Sequence, residues 1–79
     1  MKMVNVAYCR ALGHLQKRIS ATDGYRAGFT RWGRCFYQFD ISPADGGQAV
    51  FRDESPGVVF RMVTDFVRIN KILEGGDDD

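Results

Sequence analysis

The stretch from Arg34 to Asp53 reads RCFYQFDISPADGGQAVFRD, and its pattern decides the fold. Arg34 to Ile41 is rich in aromatic and β-branched residues, which suit a pleated, half-buried surface. Gln48 to Asp53 is a second, shorter run of the same kind. Between them Ser42-Pro43-Ala44-Asp45-Gly46-Gly47 is dense in residues that turn a chain. A β-hairpin is expected, with strands over 34–41 and 48–53. Side chains alternate along a strand. Cys35, Tyr37, Phe39 and Ile41 should therefore share one face, and Phe36, Gln38 and Asp40 the other. Val50 is expected to join the first face, and Ala49 and Phe51 the second.

Downstream, Ser55-Pro56 sets a good N-cap residue before a proline at the first helical position. Val59, Met62, Val63, Phe66, Val67, Ile69 and Leu73 then recur at helical spacing. Arg61, Thr64, Asp65, Arg68 and Lys71 take the opposite side, where Asp65 can pair with Arg61 or Arg68. With Gly75 as a stop, the spacing predicts a helix over 56–73. Val58, Phe60 and Ile72 widen its apolar stripe beyond one face. This helix either covers a sheet broadly or touches a second surface.

Upstream, Val4, Ala7, Tyr8, Ala11, Leu12, Leu15 and Ile19 fit one helical face, and Lys17-Arg18 suit a helix C-terminus. Gly13 weakens a helix there by about 1 kcal/mol against Ala. A strand over 2–8 competes, because Val4, Val6 and Tyr8 alternate. A helix over about 4–19 is the preferred reading. Residues 20–24 make a turn, and 25–31 read as a strand or an irregular segment. The expected architecture is a small single α+β domain. An antiparallel sheet of two or three strands packs with an N-terminal helix and a C-terminal helix over residues 1–74. Residues 75–79 read as an acidic flexible tail.

Length and charge bound the function. The chain has 79 residues and a formal net charge of +1. Residues 1–39 sum to 7 − 1 = +6, and residues 40–79 to 4 − 9 = −5. Without the last three aspartates the body carries 11 − 7 = +4, modest for a dedicated DNA binder. At 44% hydrophobic the chain is too apolar for intrinsic disorder. No segment approaches the roughly 18–20 apolar residues of a membrane span, and the N-terminus is a poor secretory signal. Two cysteines, Cys9 and Cys35, allow at most one bridge, fewer than secreted mini-domains carry. A soluble, cytoplasmic protein with free thiols is expected.

The most distinctive segment runs from Tyr25 to Phe39. It holds six of the ten aromatic residues, with Arg26, Arg31 and Arg34 interleaved. Arginine beside exposed aromatic rings suits a protein interface, and it also suits a nucleic-acid platform. The plainer alternative makes half the rings a sheet core and the arginines its solvated face. Tyr37 and Phe39 are expected to be buried, and Tyr25, Trp32 and Phe36 exposed. The partner-binding candidates are Tyr25, Arg26, Phe29, Arg31, Trp32, Arg34 and Phe36. The RNA-recognition strand signature, laid on Trp32 to Phe39, fails at Trp32 and Arg34.

Catalytic and metal chemistry lack their sets. Cys9, Cys35 and His14 form no closely spaced zinc-ligand pairs. Cys9 and His14, five residues apart, project on different sides of a helix. Asp53-Glu54 point to opposite faces of a strand and better suit the N-terminus of the next helix. No phosphate-binding glycine loop or nucleophile elbow occurs.

No enzyme, cofactor or metal is therefore expected. The expected role is a small non-enzymatic protein-binding domain, an inhibitor or accessory factor of a larger protein complex. Domains of this size without motifs are common among phage and mobile-element proteins that block host machinery, anti-CRISPR inhibitors among them. Nucleic-acid binding through the arginines with Trp32 and Tyr25 is the alternative. A homodimer is a further expectation, because a core this small gains from a partner.

Overall fold

The computed structural model describes residues 3–33 and 36–73. Helix α1 spans Met3–Ser20, strands β1, β2 and β3 span Tyr25–Trp32, Phe36–Pro43 and Ala49–Asp53, and helix α2 spans Pro56–Ile69. The strands form one antiparallel sheet in the order β1-β2-β3. This is the small α+β domain expected from the hairpin and the two flanking periodicities. The competing strand over residues 2–8 is not formed; from Met3 onward that segment lies in α1. Residues 25–32 are a regular strand. The predicted acidic tail, Arg34 and Cys35 lie outside the described residues.

Both helices lie on one side of the sheet. Leu12 and Ile19 of α1, Ala27, Phe39 and Ile41 of the sheet, and Val59 and Val63 of α2 form one buried cluster. Full burial of a side chain such as Leu12 or Phe39 contributes about 1.5–3 kcal/mol. The helices also touch each other. The Tyr8 and Phe60 rings are 5.5 Å apart, and a Cβ on Gly57 would stand 3.0 Å from the Tyr8 ring. Phe60 widens the α2 stripe because it faces α1 rather than the sheet.

Register corrects the expected faces of β3. Partners across an antiparallel ladder point the same way, and Phe39 faces Phe51 while Ile41 faces Ala49. Odd residues therefore meet odd ones. Phe51 joins the covered face, 5.3 Å from the Phe66 ring, and Val50 stands on the open face, 45% exposed. The sequence reading had these reversed. Alternation within one strand is visible from residue types, but its phase against the next strand depends on loop length. Among the described residues β2 runs on to Pro43, two residues past its expected end, and β3 begins at Ala49, one residue later than expected. The connecting turn carries Gly46 and Gly47 at φ values of 112° and 86°, where a Cβ would be strained.

Helix α2 begins as predicted and ends early. Ser55 caps it, its Oγ accepting from Val58 N at 3.4 Å, and Ser55 N donates to Asp53 Oδ2 at 2.8 Å. At the other end Lys71 takes a left-handed conformation, φ 56°. Lys71 N donates to the Arg68 carbonyl (3.2 Å) and Ile72 N to the Val67 carbonyl (3.0 Å). This pair of bonds closes a Schellman motif, with lysine where glycine is usual. The helix stops at Ile69 rather than Leu73, and Gly75, its expected stop, lies outside the described residues. Continued as a helix, Ile72 would point away from the sheet, but the turn folds it inward, to 5% exposure. That inward turn is why Ile72 does not fit the predicted stripe.

Candidate functional site: the open face of the sheet

Because both helices cover one face, no other described element covers the opposite face of the sheet. That face carries Arg26, Gly28, Thr30 and Trp32 from β1, Phe36, Gln38, Asp40 and Ser42 from β2, and Val50 and Arg52 from β3. Gly28 confirms the phase, since a Cβ added there would stand 3.1 Å from Asp40 Oδ1. The glycine leaves room for that carboxylate.

The aromatic density gathers at one corner. Trp32 pairs with Phe36 across the ladder, with ring centroids 5.8 Å apart. The Arg52 guanidinium lies 5.0 Å from the centre of the Phe36 ring. It also donates through Nε (3.2 Å) and Nη2 (2.9 Å) to Gln38 Oε1. Trp32 is 49% exposed. Two aromatics, an arginine and a glutamine thus form one connected cluster with a wet rim. An arginine stacked on a ring at an exposed site contributes about 0.5–1 kcal/mol and holds its fork flat. Arginine presents five N–H donors, so this one keeps donors free for a partner.

The seven expected binding residues do not form one surface. Arg26, Trp32 and Phe36 share the open face. Tyr25 and Phe29 lie on the covered face and pack against the core, with Phe29 6.3 Å from the Phe39 ring. Tyr25 is thus half-buried rather than exposed. Phe39 is fully buried, as expected, and Tyr37 is half-buried. Arg31 is exposed but alternates onto the covered side, opposite Tyr37. Arg34 lies outside the described residues. Residue-type counting missed Arg52, Gln38 and Asp40. Parity with Phe36 along β2 already placed Gln38 and Asp40, and Arg52 needed the phase of β3 as well.

Other chemistry-bearing residues are dispersed. His14 is exposed and Cys9 half-buried on α1. Among the described residues no three His, Cys, Asp or Glu side chains gather into a metal-binding group. No helix among them is long and apolar enough to cross a membrane. No protein-family model matches the chain, and no curated protein or solved structure shows significant similarity to it. The geometry of the open face is therefore the ground for a functional reading.

Proposed function

We propose that this chain is a non-enzymatic protein-binding domain that docks through the Trp32 corner of its open sheet face. The reading is supported above all by Trp32 itself: half exposed, braced by Phe36, and adjacent to an arginine already held flat. Tryptophan and arginine dominate binding energy where they insert into a partner, and a braced side chain loses little entropy on binding. The matching partner surface is a protein pocket that accepts an indole, with a carboxylate or carbonyl groups at its rim for Arg52 and Arg26. By occupying such a surface the domain acts as an inhibitor or accessory factor of the larger protein.

Nucleic acid is the weaker alternative on the same face. The Phe36 ring is already stacked by Arg52, so it offers less platform to a base. The Asp40 carboxylate stands among the cations and repels phosphate. Single-strand binders combine free aromatic faces with an unbroken basic groove.

The test is affinity capture from the source cell, with wild type and Trp32→Ala in parallel. A specific protein should be retained by wild type, survive moderate salt, and be lost on Trp32→Ala while the circular dichroism spectrum is unchanged. Retention of the same protein by Trp32→Ala overturns the proposed docking site. Retention of oligonucleotides with a steep salt dependence favours the alternative.

A further inference from the structure

The sheet has two edges, and among the described residues only one is finished. Across the first hairpin the Gly24 carbonyl accepts from Ala44 N at 2.7 Å. Even-numbered positions of β1 therefore bond to β2, and odd ones point outward, because bonding alternates along an antiparallel pair. Ala27 obeys this rule. Its N–H donates outward to Ser20 Oγ (3.2 Å), and its carbonyl accepts from Ser20 Oγ and Gln16 Nε2 (both 3.3 Å). The same alternation carried through β2 leaves residues 49, 51 and 53 bonding back to β2. Val50 and Arg52 then aim their N–H and C=O groups outward, where no described residue bonds to them.

The β3 edge is also weakly guarded: of its two charged residues, Asp53 accepts from Ser55 N at 2.8 Å. Charged side chains on an edge strand normally keep other strands away. Arg52 is instead drawn back across β2 to Gln38 and Phe36. Beneath this edge, α2 carries a mostly apolar flank that no other described element covers, with Asp65 on it paired to Arg68 at 2.6 Å. The Tyr8–Phe60 contact places α1 on the Phe60 side of α2. At 3.6 residues per turn, Val58, Met62, Asp65 and Ile69 fall on the opposite side. Val58 is 44% and Ile69 74% exposed.

We propose that two copies of this chain pair through this wall. Strand β3 runs antiparallel to β3 of the second copy, and the two α2 flanks pack together over the extended sheet. The occupant is a second copy because the wall needs a strand and a helix at matched spacing. Helix α2 lies over both β2 and β3. With strands about 4.8 Å apart, two-fold pairing sets the α2 axes about 10 Å apart, and packed helices stand 8–10 Å apart. A lone peptide strand would satisfy the edge and leave the helix flank bare.

Register supports the same choice. Centred on Phe51, the pairing sets Val50 opposite Arg52 of the second copy, with no like charges in contact. Centred on Arg52, it would oppose two guanidinium groups. Phe66 lies level with Phe51, so Met62 of one copy meets Ile69 of the other near the axis. The molecule is a slab 18 Å thick and 28 Å by 36 Å in plan. A side wall thus offers on the order of 500 Å² per copy, about 1,000 Å² for two if wholly covered, the size of a weak, concentration-dependent pair. A net charge of +1 opposes association little. Trp32 and Phe36 belong to β1 and β2 on the open face and stay free in the pair, while Arg52 on β3 belongs to both surfaces. The two proposals fail independently.

Sedimentation equilibrium of the full chain tests the pairing. Wild type should reach twice the chain mass of 8.9 kDa. Val50→Pro removes an N–H that only the second copy uses, a substitution edge strands accept. Ile69→Lys charges the helix flank at a position already open to water. Each should weaken association roughly 100-fold or more, with unchanged circular dichroism. If Val50→Pro fails to fold, Ile69→Lys carries the test. Wild type remaining at 8.9 kDa up to about 1 mM overturns the proposal. Association indifferent to the folded variants overturns it equally.

Discussion

The β1 and β3 edges differ although both strands are drawn from similar residue types. On β1 the outward groups of Ala27 are taken up by Ser20 and Gln16 of the adjoining helix. On β3 the outward groups of Val50 and Arg52 meet nothing described. The difference comes from where the helices sit. Helix α1 runs alongside β1 and can lend it side chains. Helix α2 lies against β2 and β3, and its flank on the β3 side carries Val58, Met62 and Ile69 beside Asp65. An edge is closed by a neighbour's side chains, and its own strand residues do not reveal this.

Ala27→Pro should separate the edges most sharply. It removes the donor to Ser20 and forces a ring into a position only 9% exposed. A loss on the order of 2–4 kcal/mol is expected in urea unfolding. Val50→Pro, measured at a concentration where the chain is monomeric, should cost well under half as much. Equal losses would mean that the ladder alternation has been assigned backwards. Ser20→Ala should be milder, about 1 kcal/mol, and should speed amide exchange at Ala27. An unchanged Ala27 exchange rate would show that the helix does not close that edge. Arg52→Ala should cost the least, about 0.5–1 kcal/mol, because its bonds to Gln38 and its ring contact are exposed. Loss of the whole β3 ladder in that variant would place Arg52 among the residues that hold the edge.

Some of this was legible in residue types. Ser55-Pro56 and the spacing after it set the start of α2, and the capping bonds confirm the reason. The turn residues 42–47 announced the hairpin. The end of α2 was not legible, because a lysine holds the left-handed position and the signal normally read is glycine. The candidate site was half legible. Trp32, Phe36 and Arg26 stood out by type. Tyr25 and Phe29 looked equivalent to them until alternation sent them to the core. Arg52 lies sixteen residues past Phe36 and enters the cluster only through the register of β3.

The amino-acid sequence by itself determined the hairpin, the C-terminal helix and which residues alternate within each strand, while it left residues 2–8 and 25–31 open between two readings. Those follow from local sterics, capping and periodicity, which act over a few residues. The tertiary structure alone decided that both helices cover the same face. That choice left Trp32, Phe36 and Arg52 on a face, and β3 at an edge, that no other described element covers. It depends on burying the apolar residues of all five elements in one core, and no short window of sequence contains that requirement.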